Sequence, residues 1–484
     1  MSAYEGALRR NVAINALGLF AKGAQILPLL VMTRVFGAET AGRLLLGIGL
    51  FEIASTLATT GFVDATTVIA SRHADRVTSG ALHRVLATAM WFAVGLALLI
   101  ALATAFGLRH VVAALGPEYQ TIETGVALLA WALVPTAVAR ICLSAATACL
   151  RAEWEVFLGT AGLPVGLVIG IAVVAFTGGG ITEVFAAVLV TQCVLAVVGL
   201  AVLHRYVGLG PVLRQMARFA FDRRLLSFAV PQGLHSAALT YIVRLDVLML
   251  AAAGAPAHIL GWYGTAAMLV TELRQVRMVF SGALGPIVPR HSANGDRASI
   301  QRALTDATRW IALVGIPIAI AFVVVRDDVL ALFSPSYRGD SLWVVVLLLG
   351  PLVNCVGGLG SNFLVFLIHN RWNLANAVII GVVKTGLNLM LVPRLGLMGA
   401  ALASTLAIVA ITVLEVVELQ LLEKVHLTWA SLRAATLALG VAAVALFALW
   451  DPSTLAGAPA RIGLALTLAA GFVALTRWLE PVRS

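Results

Sequence analysis

The sequence has few charged residues for its length. Asp, Glu, Lys and Arg make up only 12% of the 484 residues, whereas 61% are hydrophobic and the mean hydropathy is +0.98. A soluble protein of this size needs more polar surface than that to cover its exterior. The composition therefore excludes the soluble class and predicts a polytopic membrane protein.

Cysteine is also scarce, and its spacing matches no metal or redox motif. The four cysteines all lie in apolar runs, with no Cys-x-x-Cys or Cys/His spacing: Cys142, Cys149, Cys193 and Cys355. We interpret them as small buried residues without a disulfide. The sequence also lacks a phosphate-binding glycine loop and a nucleophile paired with a base. We therefore expect no cofactor, no metal and no catalytic residue.

Long apolar runs, in contrast, fill the chain. About 14 of them approach the roughly 20 residues that a bilayer-spanning helix requires. They are residues 11–33, 43–71, 83–106, 121–147, 156–177, 181–203, 225–250, 259–285, 310–333, 342–368, 373–392, 397–421, 431–450 and 461–478. Spanning strands would be about half as long and would alternate polar with apolar residues. The pattern predicts an all-α protein whose first span is retained rather than cleaved as a signal peptide.

Basic residues gather in alternate loops. If the N-terminus is cytoplasmic, the loops on that side hold roughly three times as many Lys and Arg residues as the opposite loops, as the positive-inside rule predicts. We therefore expect both termini in the cytoplasm. The net charge of +10 then reflects topology, and no nucleic-acid partner is expected. The basic loops 204–224 and 290–309 are expected to lie near anionic lipid headgroups.

An internal repeat divides the chain. A shift of 218 residues superposes segment 151–154 (RAEW) on segment 369–372 (HNRW). A second match, at nearly the same offset, relates the turns after the first and seventh spans. A unit of six spans is even in number, so both copies enter the membrane in the same sense, with the substrate path between the halves. We predict two six-helix lobes at 1–205 and 225–427, a basic linker at 206–224, and two additional helices at 428–484.

Charged residues within the predicted spans are the candidate functional residues. Each costs roughly 2.5–3.5 kcal/mol at the centre of a span, so such residues are expected to face the protein interior or a water-filled cavity. Six are positive and four are negative, a net of +2 that favours anions: Lys22, Glu52, Asp64, Arg140, Arg244, Asp246, Glu272, Arg274, Arg277 and Lys384.

The two arginines of the eighth span are the strongest candidates for contact with an anion. Arg274 and Arg277 lie three residues apart on one helix face, where they could hold two phosphate oxygens. The alternative is that intramembrane charges only fasten helices together, for example Asp64 with Arg244, or Asp246 with Lys22. Both interpretations stay open for each charge.

Five segments distributed along the chain are similar to those of a known family. The two longest are residues 10–62, which begin RNVAINALGLFAKGAQ, and 228–267, which contain RLDVLML and GWYG. The others are 283–296 (ALGPIVPRHSANGD), 357–378 (GGLGSNFLVFLIHNRWNLANAV) and 393–404 (PRLGLMGAALAS). In these segments the sequence resembles the Wzx-type polysaccharide flippases of the multidrug/oligosaccharidyl-lipid/polysaccharide exporter superfamily.

The resemblance implies a bacterial inner-membrane protein with two six-helix lobes around a central cavity that opens alternately. Such a protein moves undecaprenyl-diphosphate-linked oligosaccharide from the cytoplasmic to the periplasmic leaflet. The expected partners are this lipid-linked cargo, membrane lipids, H⁺ or Na⁺ as coupling ion, and polysaccharide assembly proteins. Arg274, Arg277, Lys22, Arg244, Arg140 and Lys384 would form its cationic lumen, and Asp64, Asp246, Glu52 and Glu272 are the candidate coupling or gate residues.

Other functions compete with this one. Lipid II flippases share the span number, but their characteristic early sequence is absent between Arg34 and Arg76. Multidrug exporters of the MATE type typically carry an acid in the first span, where this chain has Lys22. A polytopic polymerase or ligase would need a sizeable outer loop with acid and base groups, and the outer loops are short. A membrane scaffold would not need unpaired arginines in its core.

Overall fold

The structure is a computed structural model in which only part of the chain is described. The described residues are 24–71, 80–115, 122–149, 151, 153–218, 221–284, 288, 291–292, 294–333, 341–367, 370–426, 463, 467 and 470. Within these ranges the regular elements are helices and no strand occurs. The all-α class predicted from the sequence is therefore confirmed.

The helices follow one another with short connections. After a 3₁₀ turn at Ala24–Ile26, they are α1 (Leu27–Ser71), α2 (Gly80–Leu115), α3 (Glu123–Ala148), a π-helical turn (Glu155–Thr160), α4 (Gly162–Thr177), α5 (Ile181–Tyr206), α6 (Leu209–Ala217), α7 (Arg223–Ala252), α8 (Ala257–Thr271), α9 (Arg274–Leu284), α10 (Arg297–Phe333), α11 (Leu342–Gly357), α12 (Leu359–Phe366), α13 (Asn370–Leu395) and α14 (Leu397–Glu423).

Ten segments in the described residues are long and apolar enough to cross a membrane. They match the predicted spans from the second to the seventh and from the ninth to the twelfth. Most of the first predicted span, and the last two almost entirely, lie outside the described residues. The count of 14 spans and the two six-helix lobes therefore stay predictions.

The predicted eighth span, 259–285, is not one continuous helix. It is divided into α8 and α9 at Glu272 and Leu273. The backbone N–H groups of Leu273 and Gln275 donate to carbonyls three residues earlier, at 3.2 and 2.9 Å. Such tight turns keep the backbone N–H and C=O groups hydrogen-bonded where the helix direction changes. Sequence periodicity missed the break, because the apolar composition continues through it.

Two further interruptions are located at glycines. Within α1, Gly37 has φ 82° and ψ 171°, so this segment consists of two helices joined by a kink. A positive φ of this kind favours glycine because it has no Cβ. The predicted tenth span divides at Gly358 into α11 and α12.

The chain forms two compact units, with the boundary between Gly261 and Trp262. In the first unit, α1 packs against α3 and α7, and α3 packs against α2 and α5. In the second, α14 packs against α11 and α13, and α10 packs against α11. The predicted lobe boundaries at 205 and 225 stay a prediction.

The seam between α1 and α7 depends on a close backbone approach. A Cβ atom at Gly61 would lie 2.0 Å from the carbonyl oxygen of Ala229 and 2.6 Å from the amide nitrogen of Gly233. Small residues allow helices to approach so closely that only glycine fits at the contact. This seam brings the polar side chains of α1 within reach of those of α7.

The segment predicted as a basic linker contains an ordered helix. Helix α6 packs against α2, and the indole nitrogen of Trp91 donates to the carbonyl oxygen of Met216 at 2.9 Å. Asp222 then caps α7 by accepting hydrogen bonds from the backbone N–H groups of Arg224 and Leu225, at 2.9 and 3.3 Å.

Candidate functional site

The first unit contains an ion pair between α1 and α7. Arg244 contacts Glu52, with the Nη2 and Nε atoms both 2.6 Å from Oε2. The side chains are 20% and 37% exposed, respectively. The sequence suggested Asp64 as the partner of Arg244, whereas the structure pairs Arg244 with Glu52. Asp64 instead accepts a hydrogen bond from Nε2 of Gln232 at 2.8 Å.

Arg140 differs from the other arginines of the predicted spans because its side chain is exposed. It lies on α3, whose other face is buried against its neighbours. Its Nη1 donates to the hydroxyl of Thr59 on α1 at 3.1 Å. Among the described residues, no carboxylate lies within 4.0 Å of its guanidinium. Most of its five N–H donors are therefore available to another acceptor.

Two carboxylates act on Arg140 from a longer distance. They belong to Glu155 and Glu52, and Glu52 is already bound by Arg244. Glu155 begins the π-helical turn, which packs against α3. Glu155 is not among the residues predicted from the sequence, because the predicted fifth span begins one residue later, at 156.

In the second unit, Arg277 is almost fully buried. Only 6% of its surface is exposed, and its Nη1 donates to the carbonyl oxygen of Gly358, where α11 ends. A cation at a helix C-terminus is favourable because the last carbonyls carry partial negative charge. Glycine is required at 358, since a Cβ there would lie 2.4 Å from Nη1 of Arg277 and 2.3 Å from the carbonyl oxygen of Asn354.

A buried acid on α14 accompanies this arginine. Glu415 is 6% exposed. It interacts electrostatically with Arg277 and Arg274 and accepts a hydrogen bond from the backbone of Ser361. Among the described groups, Nε of Arg277 and Oε2 of Glu415 have no hydrogen-bond partner. Arg274 is only partly buried.

Other buried polar groups connect α14 to its neighbours. Asn376 on α13 donates to Oε2 of Glu418 at 2.7 Å, and Asn354 on α11 donates to the hydroxyl of Thr412 at 2.9 Å. Lys384 is 2% exposed on α13, and its carbonyl oxygen accepts a hydrogen bond from Asn388 at 3.0 Å. The Asn376 and Asn354 contacts hold helices together inside the unit, whereas the Asn388 bond to Lys384 lies within α13.

Two further predicted site residues, Asp246 and Glu272, lie on other parts of the described chain. Asp246 is buried on α7, with 3% of its surface exposed. Glu272 lies at the break between α8 and α9. Lys22 lies outside the described residues. No group of three or more His, Cys, Asp and Glu side chains that could hold a metal ion occurs in the described part of the chain.

The predicted net of +2 counts only some of the charged residues in the predicted spans. It leaves out, among others, Glu415 and Glu418 of the twelfth span, Arg326, Asp327 and Asp328 of the ninth, and Glu155, which precedes the fifth. The sum of charges therefore does not decide whether the path selects anions. Selection must depend on which cations are accessible, and Arg140 is the exposed one among the predicted arginines that the structure describes.

A family model and several solved structures match this chain. A family model described as "Polysaccharide biosynthesis protein" matches residues 8–292. No curated protein sequence matches the chain significantly.

Solved structures with a similar fold are membrane transport proteins. The structure titled "Lipid II flippase MurJ, inward closed conformation" has a TM-score of 0.76 and 12% identity, covering 97% of this chain and 98% of that chain. An inward-facing multidrug resistance MATE family transporter of the MOP superfamily has a TM-score of 0.68 and 14% identity, covering 86% and 95%. A MOP superfamily transporter from Pyrococcus furiosus has a TM-score of 0.54 and 14% identity, covering 87% and 96%. At these identities the similarity shows the fold alone.

Proposed function

The chain belongs to the polysaccharide biosynthesis protein family, and from this premise we propose that it is a flippase for a lipid-linked oligosaccharide. Its cargo would be an oligosaccharide linked to undecaprenyl diphosphate, moved from the cytoplasmic to the periplasmic leaflet of the inner membrane. Membership of this family confirms the resemblance inferred from the sequence. The substrate, the direction of transport and the identity of the membrane belong to the proposal.

The observation that carries the proposal is Arg140, an exposed residue on a helix long and apolar enough to span a membrane. A sugar diphosphate cannot enter hydrocarbon unaided, because burying its charges without partners costs many kcal/mol. Arg140 has one neutral hydrogen bond, to Thr59, and its other N–H donors can bind phosphate oxygens. Charge-assisted hydrogen bonds of this kind are the stronger class.

The other candidate residues receive different roles in this proposal. Arg274 is partly buried and can reach an anion if α9 moves, whereas Arg277 is held by Gly358. Arg244 is held by Glu52 in the conformation described, and this pair would serve as a gate that opens during transport. Lys22 and Lys384 stay candidates for the cationic lumen, and Asp64, Asp246 and Glu272 for the coupling ion, either H⁺ or Na⁺.

A lipid II flippase is the second candidate, and it is favoured by the similarity of the whole chain to the structure of MurJ. Both cargoes combine a polyprenyl chain, a diphosphate and sugars, so Arg140 would serve either. A multidrug exporter is less well supported, because the accessible charge on α3 is a cation. We propose transport without covalent catalysis rather than polymerase or ligase activity.

Deletion of the gene followed by lipid analysis tests the proposal. The deletion strain should accumulate a lipid-linked oligosaccharide that stays inaccessible from the periplasmic side. If peptidoglycan precursors accumulate instead, the lipid II alternative replaces it. Normal glycan export together with new sensitivity to cationic drugs would reject both flippase assignments.

A further inference from the structure

The π-helical turn at Glu155–Thr160 places an acid beside the candidate cargo site. The backbone N–H of Ala161 donates to the carbonyl oxygen of Val156 at 3.1 Å, which closes the wide turn. Leu158 and Leu163 pack against a core formed by Ala139, Leu195 and Ala196. Ala139 directly precedes Arg140, so this packing fixes the turn beside the arginine. Turns of this type occur frequently at functional sites.

Gly159 provides the space in which the Glu155 carboxylate lies. A Cβ atom at this glycine would be 2.6 Å from Oε1, 2.8 Å from Cδ and 3.1 Å from Oε2 of Glu155. These distances are too short for a methyl group unless the carboxylate moves. The carboxylate is thus folded back over its own turn, where it acts on Arg140 without a direct salt bridge.

Within the part of the chain that the structure describes, few other charges can act on Glu155. On the same segment, Arg151 and Glu153 form their own ion pair at 3.5 Å. On α3, the charged neighbour is Arg140. On α1, which packs against α4, the nearest acid of the cluster is Glu52, and it is bound by Arg244.

The four charges of this cluster balance when no cargo is present. Arg140 and Arg244 offset Glu52 and Glu155. The diphosphate of a polyprenyl-linked sugar adds two negative charges, and uncompensated charge in a low-dielectric environment is costly. Protonating Glu155 removes one of these two charges, because the other acid of the cluster is held in its salt bridge.

We propose that Glu155 is a positioning residue that competes with the anionic cargo for Arg140 and takes up one proton from solvent when the cargo binds. The inference rests on the proposed function, since it assumes an anionic ligand at Arg140. The carboxylate becomes a carboxylic acid, and no other bond changes. Cargo binding is then linked to pH, with affinity increasing as pH falls.

The test uses the purified full-length protein and farnesyl diphosphate, a soluble probe that shares the isoprenoid diphosphate group but ends in a free phosphate. Calorimetry in buffers of different ionisation enthalpy measures the protons taken up for each probe bound. Wild-type protein should take up about one more proton than Glu155→Gln. Its affinity should also increase up to about tenfold more per pH unit than that of the variant, as expected for one linked proton. Both proteins bind the same probe, so protonation of the probe contributes equally to both and drops out of the difference between wild type and variant.

Two further variants separate the proposed role from a loss of folding. Gly159→Ala displaces the carboxylate and should shift both measurements in the same direction as Glu155→Gln. Glu183→Gln is the matched control, since Glu183 caps α5 by accepting from the N–H of Gly180 at 2.8 Å, and it should leave both measurements unchanged. Wild-type proton uptake and pH dependence in Glu155→Gln would overturn the inference.

The failure of the proposed function gives a different result. If Arg140→Gln binds the probe as tightly as wild type, no anion site exists at Arg140, and the proposed function loses its main support. If Arg140→Gln loses binding while Glu155→Gln keeps the wild-type pH dependence, only the role of Glu155 is rejected.

Discussion

Two arginines of the predicted spans illustrate how environment decides the use of a residue. Arg140 is exposed and has a single neutral hydrogen bond, so its donors are available to cargo. Arg277 is buried, donates to the end of α11 and has Glu415 as its counter-charge. Spacing along the helix suggested Arg277 as a phosphate ligand, but its Nη1 donates to the carbonyl oxygen of Gly358 within the protein. We therefore expect loss of Arg277 to reduce stability first.

Arg277→Met should lower the free energy of unfolding by roughly 3–5 kcal/mol, because it removes the stronger of the two cations that act on the buried Glu415 carboxylate. The double variant Arg277→Met/Glu415→Gln should recover much of that loss, because the buried charge is removed as well. Thermal unfolding of the purified protein in detergent measures both effects. An unchanged melting temperature in Arg277→Met, together with lost probe binding, would instead make Arg277 a cargo ligand.

At the level of elements, the α1–α7 seam holds the Glu52–Arg244 pair in position. The same two helices contribute Thr56 and Thr240, whose hydroxyl oxygens are 3.3 Å apart. The close approach at Gly61 is the structural condition for these polar contacts. Any side chain at this position must push the helices apart.

Gly61→Ala should therefore destabilise the protein by about 1–3 kcal/mol through overpacking. Gly95→Ala on α2 is the matched control, since a Cβ there meets nothing within 4 Å. The control should be neutral or slightly stabilising, because alanine loses less backbone entropy in a helix than glycine. Equal melting temperatures for the two variants would show that the seam tolerates a wider separation.

At the scale of the whole molecule, hydrophobic runs were sufficient to predict the all-α membrane class and most helix positions. The partners of the charges could not be predicted, because Arg244 meets Glu52 only through the packing of helices distant in sequence. The break at Glu272 could not be predicted either, because the apolar composition continues through it. The same holds for the π-helical turn that extends the fifth span to Glu155. Glu415 was visible inside a predicted span, and a complete charge count would have included it.

We propose that this protein moves a lipid diphosphate past Arg140. Purified protein in liposomes, loaded with undecaprenyl-diphosphate-linked N-acetylglucosamine, allows the outward movement of the sugar to be followed with an external lectin. We expect the sugar to become exposed faster than in protein-free vesicles.

Arg140→Gln should slow the exposure of the sugar roughly 10- to 100-fold, since a hydrogen bond to a charged group contributes about 1.5–3 kcal/mol. Arg214→Gln, an exposed arginine on α6, should have the wild-type rate. Equal rates with and without protein, or with and without Arg140, would contradict the claim.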